Sequence, residues 1–300
     1  MLISVATANY YFIPFEQTLE IIGLAGFEFI ELDLYWERKN WAMAQHLRGI
    51  DPREVVRMIN QSGLKVSSIH DGGGVLEYPG SGKNVCDLSI CASGVCDLGV
   101  CAAGWVNPQL DCYLDHLGYA PGCLVFHTPH IEGSLDDSWW QVFWIEGIKS
   151  LDPYRSACQT VTVENMPFFE GYSVPMTAPE KLADFARAAG LNVTLDTTHY
   201  AQIGVDICQA AQALDGAIKT VHLSDYAAGK THVFPGDGEL DLGLFFQTLD
   251  AAALHSVTLE CSPGFLGEDP RRLSTPEMIN RLRTARSRVE QLIITNMNSG

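Results

Sequence analysis

Six positions carry an imidazole or a carboxylate at or next to the end of a short, β-rich apolar run. They are His70 in KVSSIH, His127 in CLVFH, Glu164 in TVTVE, Asp196 in NVTLD, His222 in IKTVHL and Glu260 in SVTLE. Nitrogen and carboxylate donors in this mixture suit Zn²⁺ or Mn²⁺. They also accommodate Fe²⁺ or Co²⁺, whereas Mg²⁺ prefers oxygen ligands and water. Any one of these residues alone is more often a hydrogen-bonded structural group. Recurrence in six consecutive runs points instead to one shared centre, with Glu164, Asp196, His222 and Glu260 as its minimum ligand set for one divalent cation.

Further candidates lie just beyond these positions. His199 follows Asp196 in VTLDTTHYAQIG, and His232 precedes FPGDGELD. Together they could hold another cation or orient a substrate. His130, in HTPH, is a loop neighbour of His127. Glu31 and Asp33 end the second run, where a salt bridge or a helix cap is the ordinary role; Glu31 could instead bind a substrate hydroxyl.

Positioning such residues requires a scaffold that brings many strand ends to one place. Eight strand candidates run along the chain, at residues 2–7, 27–32, 65–70, 123–127, 160–164, 192–196, 218–223 and 256–260. Helical patterns separate them. PFEQTLEIIGLAG stops at Gly26, DPREVVRMINQSG opens on an Asp cap and a first-turn Pro and stops at Gly63, and APEKLADFARAAG has the same shape. Strands alternating with helices imply a parallel sheet, and eight such units predict a closed (β/α)8 TIM barrel, a single domain over residues 1–300. In that architecture the active site forms at the carboxyl ends of the strands, where the six residues lie. An open doubly wound sheet would want a Gly-rich phosphate turn after its first strand, and VATANYYF is not one.

One segment interrupts the alternation. Residues 71–108 contain VCDLSICASGVCDLGVCAAG, with Cys86, Cys91, Cys96 and Cys101 five residues apart. Neither helical nor strand geometry gathers thiols at that spacing. The expectation is an irregular Cys-rich insertion after strand 3 rather than a cluster site.

Bulk composition narrows the function classes. The chain has 19 Lys and Arg against 36 Asp and Glu, a formal charge of −17. Such an acidic surface disfavours nucleic acid and anionic membranes. There is no apolar run of about 18 residues and no basic leader, so a soluble cytoplasmic protein is expected, with homo-oligomers left open. Nine cysteines without a C-x-x-C pair argue against a disulfide framework.

The segments VTVENMP, VTLDTTHYAQIG, VHLSDY…THVFPGDGELDLG and VTLECSPG resemble, in combination, the xylose-isomerase-like barrel superfamily. That group includes sugar-phosphate isomerases and epimerases and the zinc-dependent apurinic-site endonucleases. The resemblance to the epimerases implies a divalent cation on Glu164, Asp196, His222 and Glu260, with Glu164 and Glu260 as the acid/base pair. The resemblance to the endonucleases implies three zincs and further ligands at His70, His127, His199 and His232, plus an aspartate where this chain has Lys230. A cation thus replaces a ligand of the third site, while His70 and His127 beside Glu164 leave room for a second metal.

The function expected is isomerisation or epimerisation of a sugar or related polyol ketone. A metal on the substrate oxygens stabilises an enediolate while one glutamate removes the proton α to the carbonyl and the other returns it. Trp36, Glu31 and Lys230 are candidate substrate contacts, and Tyr10, Tyr11, Trp41 and Trp105 further aromatic ones. A dehydratase or lyase would use the same parts. An apurinic-site endonuclease or a non-catalytic binding barrel are the competing readings. No basic cluster stands ready to grip a phosphate, which favours an unphosphorylated substrate.

Overall fold

The computed structural model is a closed barrel of eight parallel strands. It describes residues 1–34, 47, 49–71, 106–107, 109–128, 131–132, 148, 151–168, 172–174, 176–263 and 270–296. The barrel strands are β1 (Leu2–Ala6), β2 (Phe29–Asp33), β3 (Lys65–Asp71), β4 (Cys123–His127), β5 (Thr160–Glu164), β6 (Asn192–Asp196), β7 (Ile218–Leu223) and β8 (Ser256–Leu259). Each pairs in parallel with its neighbours in chain order. Pairing of β1 with β8, from Leu2 with Ser256 to Val5 with Leu259, closes the ring. The eight sequence runs thus correspond to the eight strands, with ends shifted by no more than two residues.

Among the described residues the α-helices are α1 (Phe15–Leu24), α2 (Pro52–Ser62), α3 (Leu110–Leu117), α4 (Pro179–Ala189), α5 (Thr197–Gln202), α6 (Ile207–Ala213), α7 (Leu242–Thr248) and α8 (Thr275–Asn296). Their boundaries have local causes. The Asp51 carboxylate accepts from Arg53 N at the start of α2, and Gly63 ends that helix at φ 78°, where a Cβ would be strained. Asp206 and Asp241 cap α6 and α7 by accepting from Gln209 N and Leu244 N.

Alternation along each strand decides what lies inside the barrel. Val161 and Val163, Val193 and Leu195, Val221 and Leu223, and Val257 and Leu259 are buried in the apolar core. That layer also holds Leu19 and Ile22 of α1, Val55 and Ile59 of α2, Leu182 of α4, Phe245 and Phe246 of α7 and Leu282 of α8. Each large aliphatic side chain buried there contributes about 1.5–3 kcal/mol. The intervening residues share the opposite face, because side chains in a strand alternate. Thr162 with Glu164, Thr194 with Asp196, Thr220 with His222, and Thr258 with Glu260 therefore form inward columns. Each column has a hydroxyl below and an ionisable group at the carboxyl end.

Residues 86–101, Trp36, Trp41, Trp105 and His130 lie outside the described residues. The remaining cysteines, Cys112, Cys123, Cys158, Cys208 and Cys261, are free thiols. No helix among the described residues is long and apolar enough to cross a membrane.

Candidate functional site

Glu164, at the end of β5, is the centre of the rim. It is fully buried, and its two oxygens face in different directions. Oε1 lies 3.1 Å from His222 Nδ1 and 3.3 Å from His199 Nδ1. Oε2 lies 3.1 Å from His70 Nε2 and 3.2 Å from His127 Nε2. One carboxylate thereby joins two groups of potential ligands. The first is Glu164, Asp196, His222 and Glu260; the second is His70, His127 and Glu164. Within each group the ligand atoms lie within 4.8 Å of one another.

The loop after each strand secures these side chains. Asp196 starts α5, and its Oδ1 accepts from His199 N at 2.6 Å, which caps the helix and brings His199 back over the rim. Its other oxygen, Oδ2, is buried and accepts no hydrogen bond among the described residues. Asn165 holds Asp196 from the side: its Nδ2 donates to Asp196 O at 3.1 Å and its Oδ1 accepts from Asp196 N at 2.7 Å. His199 Nδ1 contacts Asn165 O at 2.9 Å, and His232 Nδ1 contacts Glu260 O at 3.1 Å. Both rings are thus oriented by backbone carbonyls, and they stand edge to face 5.5 Å apart.

His232 is carried on a hairpin formed by Asp225–Ala227 and Lys230–Val233, and it sits at φ 51°, an uncommon conformation for a side chain with a Cβ. The hairpin is tied down by Asp225. That carboxylate accepts from four backbone N–H groups, those of Tyr226, Gly236, Gly238 and Leu240, at 2.9 to 3.1 Å. Lys230 is exposed on the same hairpin.

Packing so many acceptors in a dry pocket produces strong mutual effects. Burial would raise Glu164, but the charges of His222 and His70 hold it well below the usual carboxylate range. Glu260 is likewise pushed upward by burial and brought down further by His222, whose Nδ1 is 2.8 Å from its Oε2. Asp196 is raised, chiefly by burial. Burial opposes charge on His199, yet Asp196 and Glu164 lift it to about 9. His70 and His127 face each other with Nε2 atoms 2.7 Å apart. Burial pushes His127 down to about 4, whereas Glu164 and Asp33 outweigh burial at His70 and raise it. The two rings, so close together, are thus pushed in opposite directions by their surroundings.

The donor set fits a divalent cation. Glu164, Asp196, His222 and Glu260 offer mixed nitrogen and oxygen atoms in one small pocket, and the buried Asp196 Oδ2 has no donor among the described residues. The second group adds two imidazoles around the far oxygen of Glu164.

A sequence profile described as xylose isomerase-like TIM barrel matches residues 114–284, more than half of the chain. The chain belongs to this family. No curated protein matches it by sequence. Among solved structures, a protein described as L-ribulose 3-epimerase shares 18% identity at a TM-score of 0.65, covering 98% of this chain and 95% of the other. An IolI protein solved with a bound zinc atom shares 12% identity at a TM-score of 0.65, covering 99% and 100%. An AP endonuclease, family 2, from Brucella melitensis shares 18% identity at a TM-score of 0.59, covering 88% and 94%. At these identities the likeness establishes the shared barrel.

This xylose isomerase-like barrel brings together His70, His127, Glu164, Asp196, His199, His222, His232 and Glu260 at one rim. Glu31, a candidate for a substrate hydroxyl, is fully buried and faces Ser68 and His222. Tyr10 packs in the core with its hydroxyl on Met278 O at 3.3 Å, and Tyr11 packs edge-on against Phe12. Sequence reading passed over Asn165 and Asp225. Their signal was present: an Asn directly after a strand-end Glu, and an Asp just past a strand-end His before a Gly-rich loop.

Proposed function

We propose that the protein is a divalent-metal-dependent isomerase or epimerase that acts on a sugar or related polyol ketone through an enediolate. The observation that carries this reading is the convergence of Glu164, Asp196, His222 and Glu260, with ligand atoms within 4.8 Å of one another. Family membership supports it, as do structural neighbours described as an L-ribulose 3-epimerase and a zinc-bound protein.

Asp196 and His222 would chiefly hold the cation, Mn²⁺ or Zn²⁺ by donor type, and the cation would supply Lewis-acid charge to the substrate oxygens. Glu164 and Glu260 approach the shared His222 from β5 and from the end of β8. One takes the proton α to the carbonyl and the other delivers a proton, on the same or the opposite face of the intermediate. His199 and His232, oriented by backbone carbonyls, face the same rim and orient substrate hydroxyls. Loss of a β-leaving group after the same proton abstraction would make the enzyme a dehydratase or lyase.

The His70, His127 and Glu164 group favours a second reading, two-metal hydrolysis of a phosphodiester at an apurinic site. The charge of −17 and the lysine at position 230 weigh against it.

The test is solvent exchange. Protein loaded with Mn²⁺ or Co²⁺ is incubated with a panel of ketoses in deuterium oxide and followed by proton NMR. Loss of the signal from the proton α to the carbonyl is expected for at least one ketose. A folded, metal-loaded sample that exchanges none of them, yet nicks an abasic duplex, would replace the first reading with the second.

A further inference from the structure

Glu31 lies in the middle of β2, one strand pairing away from β1, yet its carboxylate reaches across the lumen to β7. It is completely buried. Oε2 accepts from Ser68 Oγ of β3 at 2.7 Å. Oε1 lies 3.0 Å from His222 Nε2 and 3.7 Å from His70 Nδ1. A buried carboxylate is costly unless a partner compensates it, and a serine hydroxyl alone is a modest one. The position of Glu31 is therefore explained by the ring it faces.

His222 has two distinct sides. Nδ1 points to the rim, 3.1 Å from Glu164 Oε1 and 2.8 Å from Glu260 Oε2. Nε2 points down the lumen to Glu31. A neutral imidazole that ligates a cation through one nitrogen must carry its proton on the other, and the acceptor facing that second nitrogen selects the tautomer. The arrangement has a counterpart next to it. Asp33, also on β2, has its Oδ1 3.3 Å from His70 Nδ1, while His70 Nε2 faces Glu164. Asp33 is itself secured by Thr7 Oγ1 at 3.0 Å and Ala8 N at 2.8 Å. One strand thus supplies a carboxylate behind each of two rim histidines.

We infer that Glu31 is a positioning residue that keeps the His222 proton on Nε2 and so presents Nδ1 to the cation, rather than a substrate contact. This rests on the assignment of His222 as a ligand under the proposed function. Ser68 is the support that keeps Glu31 turned toward the ring.

The experiment uses the full chain labelled with ¹⁵N-histidine and loaded with ¹¹³Cd²⁺ alone. In the unsubstituted protein, cadmium–nitrogen coupling is expected at His222 Nδ1, with a proton on Nε2. Glu31→Ala should lower cadmium affinity about 10–100-fold and mix the His222 tautomers, with Glu31→Gln, which keeps an acceptor oxygen, in between. A purely structural Glu31 would shift the melting temperature and leave affinity and tautomer unchanged, and that result overturns the inference. So does coupling at Nε2 in the unsubstituted protein, which decides the matter even if Glu31→Ala fails to fold. If the unsubstituted protein takes up no cadmium, the ligand assignment fails and the inference with it. If it binds through Nδ1 but Glu31→Ala binds equally well, only the inference fails.

Discussion

The two ends of the barrel lumen are both polar, yet they are built on opposite principles. Toward the amino ends, the inward residues are hydroxyls and a thiol that satisfy one another. Ser4 pairs with Thr258 at 2.8 Å, Thr162 with Thr194 at 2.7 Å, and Cys123 with Thr162 at 3.2 Å. At the carboxyl ends, two residues further along the same strands, the inward groups are Glu164, Asp196, His222 and Glu260. A hydroxyl both donates and accepts, so a layer of hydroxyls can close on itself. A carboxylate only accepts, so a layer of carboxylates must take its positive charge from imidazoles or from a cation. What separates structure from function here is the kind of polar group at each level of one column, not polarity itself.

The comparison breaks most directly at Glu164. Glu164→Gln keeps the volume and removes the charge shared by both ligand groups. Deuterium exchange into the responsive ketose should fall roughly 10²–10⁴-fold, the usual worth of an acid/base group. The circular dichroism of the barrel should be unchanged. Full exchange by the variant would mean that the rim carboxylates are as structural as the hydroxyls beneath them.

The opposite end should respond in the opposite way. His255 precedes β8 and reaches across the amino-end mouth to Gly122, which precedes β4, diametrically opposite in the ring. The His255 ring fills the space where a Cβ on Gly122 would be, and its Nε2 is 3.3 Å from Ser67 O. Gly122→Ala must displace the ring, at a cost of about 1–3 kcal/mol, read as a lower denaturation midpoint. His255→Ala in the same chain should recover part of the loss. Exchange activity at saturating metal and substrate should remain close to the original. A large drop in activity with unchanged stability would show that the two ends are coupled.

The fold was legible because its alternation is strong. TVTVE, NVTLD and SVTLE each carry a period-two pattern ending on a carboxylate, and capped helices such as DPREVVRMINQSG separate the runs. Strand ends could therefore be placed, and with them the rim residues. The direction of a side chain from the middle of a strand was harder to read. Glu31 and Asp33 looked like ordinary end-of-strand acids, and only the closed ring shows that one faces His222 and the other His70. Contacts across a lumen join residues far apart in sequence, and nothing in a single strand reports its diametric partner. His255 and Gly122 eluded sequence reading for the same reason.

A smaller effect sharpens the comparison through pH. Burial lowers the pKa of His255, with the Ser67 carbonyl offsetting it in part. The fold therefore prefers the neutral ring, whereas the unfolded chain takes up a proton near the ordinary value of about 6.5. Where the unfolded state binds more protons, stability rises with pH. The His255 contribution is thus fully present above about 6.5 and is lost as pH falls through the lower folded value. The melting temperature of the unsubstituted protein should then decline more between pH 7.5 and pH 5, on the order of one or two degrees, than that of His255→Gln, whose amide does not titrate. Taking the difference between the two chains removes the titration of the rim histidines, which both share. Parallel curves would show that the closure at the amino end depends on the shape of the ring alone and not on its neutrality.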